Sequence, residues 1–567
     1  MENKLNKRER YKAQLRPIDY YKDFENLDFT NLGEGDRFYL QDFGIFTTDF
    51  LEDEFTIRIR IPGGQIKTEH FLAVAEVVEK YDLTIIITAR GGLQLHDITA
   101  DNILEIHKAV NATGLSTWQS FGDNVRNIVC DIFDDIGEYA VLETYSLVMQ
   151  MQEFILQNPK YVGLLPRRLG VAISGNSVNV TSLYANDIYF ALAKKDDIYG
   201  FNVYMGGKNI EVPTEADIFL KREDVVDFFI AFAEAFHEHG SRFSRSRTRV
   251  FHLIEDIGID GLKNLIKNEY KKEWQSRGEL VLQRAKFEQF HKLKDGTYAY
   301  CYETAFSKLG ADEMRGIAKV VKEQNLSIRI GMDQKIYLIG LKEMIAPLGG
   351  VATSQTVVAC AGNLCPYAVW SIKEDTKYIP LDRIKQHTIQ VGFSGCAKGC
   401  GRHRHTDIGL IGLKTNNFGD VDGGARIFLG AIHTTGESTS RMLFSMVPFP
   451  HLKTTLDMVI NHFEASGYSY FEEYALNVLN NYSEEFIALW TLACLETNRA
   501  VAFKELKEKL SFEDELELLR GEFASLDFWE HIGEDMYGAI SYLGKKLWTI
   551  EGADPTYKPP VDRVVFR

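Results

Sequence analysis

Four of the chain's seven cysteines fall within 41 positions, in two pairs. The first pair is Cys360-Ala361-Gly362-Asn363-Leu364-Cys365 and the second is Cys396-Ala397-Lys398-Gly399-Cys400. Thiolates on short glycine-bearing loops are the donor set for a zinc ion or an iron–sulfur cluster. Structural zinc usually takes knuckles with two residues between ligands, whereas these pairs have four and three between. Cys130, Cys301 and Cys494 lie among apolar neighbours and read as small core residues.

The second group able to do chemistry is basic. Arg58-Ile59-Arg60 alternates as a strand does, so both arginines should share one face. Arg90 and His96 follow around the next hairpin, then Arg126, Arg167-Arg168, Arg245, Arg247 and Arg249. Guanidinium forks bind carboxylates and small oxyanions, so these residues point to a polyanionic cofactor or an inorganic oxyanion. The clustering stands out because the chain is acidic, with a net charge of −16. That charge makes it a poor platform for nucleic acid.

An internal repeat must position both groups. At an offset of 243, Leu83-Thr84-Ile85-Ile86-Ile87 matches Leu326-Ser327-Ile328-Arg329-Ile330. The same offset sets Phe71, Val74, Ala75, Val77 and Val78 on Met314, Ile317, Ala318, Val320 and Val321. Each copy reads as strand, amphipathic helix, then paired strands. Further on, Val171-Ala172-Ile173-Ser174-Gly175 matches Val391-Gly392-Phe393-Ser394-Gly395. The first copy has Asn176 and Val180 where the second has Cys396 and Cys400, while Arg58 and Arg60 align with Cys301 and Glu303. One half is equipped for metal and the other for anions. At 567 residues the chain suits several α+β domains. From about residue 470 it reads helical, with Phe471, Tyr474, Ala475, Val478 and Leu479 at helical spacing. The N-terminus lacks the apolar run of a signal peptide, no stretch is long enough to span a membrane, and cysteine is sparse; together these predict a cytoplasmic protein with no membrane association.

Taken in order, these segments resemble the haemoprotein of assimilatory sulfite and nitrite reductases, which carries sirohaem coupled to a [4Fe–4S] cluster. The resemblance rests on Arg58-Ile59-Arg60-Ile61-Pro62-Gly63-Gly64, Thr88-Ala89-Arg90-Gly91-Gly92-Leu93-Gln94-Leu95-His96 and Val125-Arg126-Asn127. It continues through Leu165-Pro166-Arg167-Arg168, Ser244-Arg245-Ser246-Arg247-Thr248-Arg249, Ser394-Gly395-Cys396-Ala397-Lys398-Gly399-Cys400 and Asp407-Ile408-Gly409. It implies a fold in which a ferredoxin-like half-domain plus a sirohaem-binding α/β domain is duplicated, with a helical C-terminal extension. The expected divisions are an N-terminal arm at 1–34, half-domain 1 at 35–120, an anion-binding domain at 121–275, half-domain 2 at 276–350, the cluster-bearing domain at 351–465 and the extension at 466–567.

The resemblance also assigns roles. Cys360, Cys365, Cys396 and Cys400 become cluster ligands, with Cys400 also bridging to the sirohaem iron. Arg58, Arg126 and Arg168 surround the substrate, and Arg90, Gln94, His96, Arg245 and Arg249 lie near the sirohaem carboxylates. Two features depart from the family. Its first cysteine pair is normally set further apart, and Gly170 stands where its sulfite reductases carry Lys and its nitrite reductases tend to have Asn. The expected reaction is six-electron reduction of sulfite to sulfide, with nitrite to ammonia as the alternative. A precorrin-modifying oxygenase and a non-catalytic haem-binding relic are the remaining readings. No dinucleotide fingerprint follows a strand, so electrons should come from a ferredoxin or a flavoprotein subunit. The basic N-terminal run (Lys4, Lys7, Arg8, Arg10, Lys12, Arg16) is a candidate docking arm. Lys398, between two ligands, is a candidate for raising the cluster potential, and His403 and His405 should support the loop without ligating metal.

Overall fold

The repeated apolar spacing becomes two matching helices. Thr68–Tyr81 buries Phe71, Val74, Ala75, Val77 and Val78, and Ala311–Gln324 buries Met314, Ile317, Ala318 and Val321. Each ends on a left-handed residue, Asp82 and Asn325, whose N–H closes the last turn. A strand follows each turn, Thr84–Ile87 and Ser327–Ile330. The computed structural model describes residues 5–48, 53–349, 356–414 and 423–548. Lys4 of the basic run and residues 549–567 of the C-terminal extension lie outside the described residues. Contacts divide the chain into two compact units, Met1–Ala352 and Thr353–Arg567.

In the first unit the two ferredoxin-like half-domains interlock. One sheet holds Ile45–Phe46, Phe55–Ile59, Leu93–Ile98 and Thr84–Ile87, closed by Lys308–Leu309 from the other copy. The second holds Phe290–Lys292, Tyr298–Tyr302, Ile336–Leu341 and Ser327–Ile330, closed by Gln65–Ile66 from the first copy. Each half thus lends the other a short edge strand, at equivalent positions of the repeat. Both helices and both sheets contribute to one apolar core.

The third sheet of this unit sets Val129–Cys130, Val171–Ser174 and Ile188–Lys195 parallel, then adds Ile198–Met205 and Thr214–Leu220 antiparallel. Helices Tyr145–Gln157, Val225–His239 and Val250–Glu269 cover it. The strand Glu279–Leu280, placed by the sequence reading in half-domain 2, pairs with Ile188–Lys195 of this sheet instead.

The second unit repeats that topology. Val357–Ala359, Val391–Ser394 and Ile408–Lys414 run parallel, followed by antiparallel Gly423–Leu429 and Arg441–Pro448. The C-terminal extension is helical, with Phe471–Asn477, Glu484–Thr497, Phe512–Phe523 and Tyr537–Trp548. Glu484–Thr497 is buried from Phe486 through Cys494. Cys130 and Cys301 are buried as well, as their apolar neighbours predict. No helix among the described residues is long and apolar enough to cross a membrane.

The N-terminal basic run is no loose arm. Lys7–Gln14 is a helix capped by Asn6, whose side chain accepts from the N–H groups of Arg8 and Glu9. Lys7 pairs with Glu34 and Arg16 with Asp19, while Lys12 is buried against Glu9 and Asp123. Three of the six basic residues are thus paired with carboxylates of the same unit, Lys7 and Arg16 at the surface and Lys12 in the interior.

Candidate functional site

The anion group is organised by an arginine that sequence reasoning left without a role. Arg60, at the end of the strand Phe55–Ile59, is 2% exposed. Its Nη1 donates to the carbonyls of Gln119 (3.2 Å) and Val125 (2.9 Å), its Nη2 to that of Arg126 (3.1 Å), and its Nε to Gln152 (3.3 Å). Burial lowers its pKa to about 10, so it keeps its charge at neutral pH while clamping the 119–126 loop.

That loop presents Arg126, whose Nη1 and Nη2 donate to the carbonyls of Ser120 (2.7 Å) and Gly122 (3.0 Å). Between them the Phe121 ring lies 3.9 Å from the Arg58 guanidinium carbon and 5.8 Å from that of Arg126. Burial and then the charges of Arg58, Arg168 and Arg90 push Arg126 well below the usual arginine range. Four guanidinium groups therefore stand within electrostatic reach of one another. The buried Nε of Arg126 has no acceptor among the described residues. Such a collection of like charges fits an anionic ligand.

Gln94 sits directly across from Arg58 on the neighbouring strand. His96, two residues on and buried, has Nδ1 3.4 Å from Thr56 Oγ1. Thr56, Arg58, Gln94 and His96 thus share one sheet face. Arg90 reaches in from the Thr88–Gly92 turn: Nη1 donates to Asn186 Oδ1 at 2.6 Å, and its carbonyl accepts from Asn127 Nδ2 at 2.9 Å.

Arg245 and Arg249 are placed differently. Arg245 makes a bidentate pair with Asp123 (2.6 and 2.8 Å), and Arg249 Nε donates to Asp187 (2.7 Å). Their charge is engaged by protein carboxylates. Asp123 is a hub that sequence reasoning missed. Burial alone would raise its carboxyl, but Lys12, Arg245 and Arg167 hold it well below the usual range. Asp42, also buried and hydrogen-bonded by Asn124, is instead lifted by burial to about 7, helped by the charge of Asp123.

The cysteine loops leave the C-terminal ends of neighbouring parallel strands, where open α/β sheets generally bind ligands. Register sets Ala359 beside Phe393, and the Cys360 N–H donates to the Phe393 carbonyl at 2.9 Å. Cys360 Sγ accepts from the N–H groups of Gly362 (3.3 Å) and Gly395 (3.2 Å), one from each loop. Backbone N–H groups of Tyr367 and Lys398 do the same for Cys365 and Cys396. Burial pushes Cys365 up to about 11, and the charges of Cys400, Cys360 and Cys396 add to the rise, so the four sulfurs are electrostatic neighbours. Cys400 is exposed.

Among the described residues no three of these sulfurs lie mutually within 4.8 Å. A tetrahedral zinc site with bonds of about 2.3 Å would bring its sulfurs to about 3.8 Å from one another. The wider set with N–H donors aimed at sulfur fits a cluster better than one ion. His403 Nδ1 lies 2.9 Å from Ser394 Oγ, which also accepts the Gly401 N–H. Burial, then Arg404, lowers His403 to about 3, so a neutral imidazole braces the loop.

Comparison with known proteins points to one family. A model described as the nitrite/sulfite reductase ferredoxin-like half domain matches residues 51–113, and one described as the nitrite and sulphite reductase 4Fe-4S domain matches residues 121–274. Both matches support the sirohaem nitrite and sulfite reductase family for this chain. The cofactors of this reductase are sirohaem and a [4Fe–4S] cluster, and it is an oxidoreductase acting on sulfite or nitrite. The second match falls on the copy that lacks the paired cysteines.

Relatives of this reductase include the ferredoxin–nitrite reductase of Synechococcus elongatus, 27% identical over 75% of this chain and 90% of that protein. The enzyme of the same name from Leptolyngbya laminosa is 26% identical over 82% and 98%. The chloroplastic one from Spinacia oleracea is 26% identical over 72% and 75%. The solved structure of the Mycobacterium tuberculosis NirA protein shares the fold, with a TM-score of 0.73 at 19% identity, covering 83% of this chain and 96% of that one.

Proposed function

We propose that this chain reduces nitrite to ammonia with ferredoxin as electron donor. The relatives above are all named ferredoxin–nitrite reductases, and they cover most of the chain. This displaces the preference for sulfite drawn from sequence motifs.

The observation that carries the reading is the set of mutually repelling arginines. Arg58, Arg126 and Arg168 would hold the oxyanion and stabilise the negative charge that develops as each oxygen leaves. Arg60 and the Phe121 ring keep those guanidinium groups in place before substrate arrives. Cys360, Cys365, Cys396 and Cys400 would hold the cluster, and Cys400 would also help hold the sirohaem. Gln94 and His96 would line the haem carboxylate region. When bound, the coupled cofactors supply the six electrons that no side chain can provide.

The test is an absorption and EPR spectrum of anaerobically purified protein, with iron and sulfide analysis. A sirohaem spectrum with a coupled [4Fe–4S] signal is expected. A colourless protein would overturn the proposal.

A further inference from the structure

Two lysines lie close to the cysteine loops, and they sit in different environments. Lys398 is exposed, with its Nζ 2.9 Å from the centre of the Tyr367 ring, itself 39% exposed. Lys373, on the single turn Ile372–Glu374, is 6% exposed. Its stem closes over the first cysteine loop: Lys373 Cε is 2.8 Å from the place a Cβ on Gly362 would occupy. Gly362 has a φ of +65°, a conformation that favours glycine, and its N–H donates to Cys360 Sγ while its carbonyl accepts from the Cys365 N–H at 2.9 Å. Lys373 is thus packed on a residue that hydrogen-bonds both cysteines of the first pair.

We infer that Lys373 is the fixed counter-cation of the cysteine centre and raises the reduction potential of the cluster held there. The inference rests on the four-cysteine ligand set. Reduction adds one negative charge to a cluster already carrying four thiolates, so a nearby cation favours the reduced state. How strongly it does so depends on solvent. A charge at the surface is screened by water and salt, whereas a buried one acts through a lower effective dielectric. Lys373 is buried against the first cysteine loop, whereas Lys398 is exposed beside the second. Of the two, Lys373 therefore dominates.

The experiment is an EPR-monitored redox titration of the holoenzyme, comparing wild type with Lys373→Met, Lys373→Arg and Lys398→Met. Lys373→Met should make the one-electron reduction about tenfold less favourable, about 59 mV lower in midpoint. Lys373→Arg should stay near wild type. Lys398→Met should shift the midpoint less, by an amount that shrinks further at high salt. An unchanged midpoint in Lys373→Met, or a larger shift in Lys398→Met, would overturn the inference. If Lys373→Met purifies without cluster iron, Lys373→Arg decides: a retained cluster supports a charge role, and loss from both variants shows a packing role and overturns it. A wild type without cluster iron would instead sink the ligand set itself.

Discussion

The Arg90 guanidinium lies across the backbone of Gly170: a Cβ on Gly170 would stand 2.6 Å from Arg90 Nη2 and 2.9 Å from Nη1. Position 170 therefore makes room for a cation that arrives from another strand turn. Asn186 holds that cation through its Oδ1, and the neighbouring Asp187 fixes the Gly170 N–H at 2.7 Å. From sequence, Gly170 reads as a lost charge; in the folded chain Arg90 occupies the space.

Gly170→Lys should accordingly fail to strengthen sulfite reduction. Any side chain at 170 must displace the tip of Arg90, a flexible group, so the fold should survive. We expect Gly170→Ala to keep its thermal midpoint while kcat/KM for nitrite falls about tenfold, equivalent to ~1.4 kcal/mol of transition-state stabilisation. Steady-state kinetics beside a thermal melt would check it. Unchanged kinetics would mean that the position of Arg90 does not matter to turnover.

Cys400→Ser should abolish turnover and uncouple haem from cluster, because that sulfur is assigned to both. Cys494, fully buried in the helix Glu484–Thr497, should tolerate Ser with cofactors and activity largely intact. EPR and iron analysis of the two variants give the comparison. Equal behaviour would refute the ligand assignment.

The N-terminal helix should matter to stability more than to docking. Lys12 Nζ lies 2.6 Å from Glu9 and 2.9 Å from Asp123, with all three side chains almost completely buried. Lys12→Met would remove one cation from two buried carboxylates that keep Arg242 and Arg245 as partners, at a cost of about 1.5–3 kcal/mol. Arg16→Met, which removes an exposed pair with Asp19, should leave the denaturation midpoint unchanged. Deleting residues 2–14 should destabilise the protein along with any effect on ferredoxin kinetics.

Asp42 sets a pH dependence. Its carboxyl is raised from an ordinary 3.8 to about 7 by burial. Between those values the folded protein keeps a proton that the unfolded chain has released. The stabilisation is complete below about pH 4 and is lost as pH climbs through 7, by up to about 4 kcal/mol. Asp42→Asn keeps an acceptor for Asn124 and removes the titration. Denaturation midpoints from pH 5 to 8 should fall less steeply in the variant. Asp131, raised by burial to about 6, will leave it some residual slope.

Much of this architecture is legible in the sequence because the duplication writes it twice. The Phe71 and Met314 helices carry one apolar spacing at a fixed offset, and the paired cysteines stand out against Asn176 and Val180 in the other copy. The exchanged strands Gln65–Ile66 and Lys308–Leu309 leave no such trace, since two residues cannot show a period. Pairings between distant residues are equally silent. Nothing in the local sequence around Lys12 announces Asp123, and the clustered arginines look alike until Arg245 and Arg249 are found against Asp123 and Asp187. The reason for glycine at 170 lies in a side chain from a different turn, so family comparison at that column alone misreads it.

The most direct test of the account is a competition assay on the holoenzyme with chemically reduced ferredoxin, supplying nitrite and sulfite together and measuring ammonia and sulfide. Ammonia should dominate, with kcat/KM for nitrite at least tenfold above that for sulfite. Sulfide as the main product would contradict it.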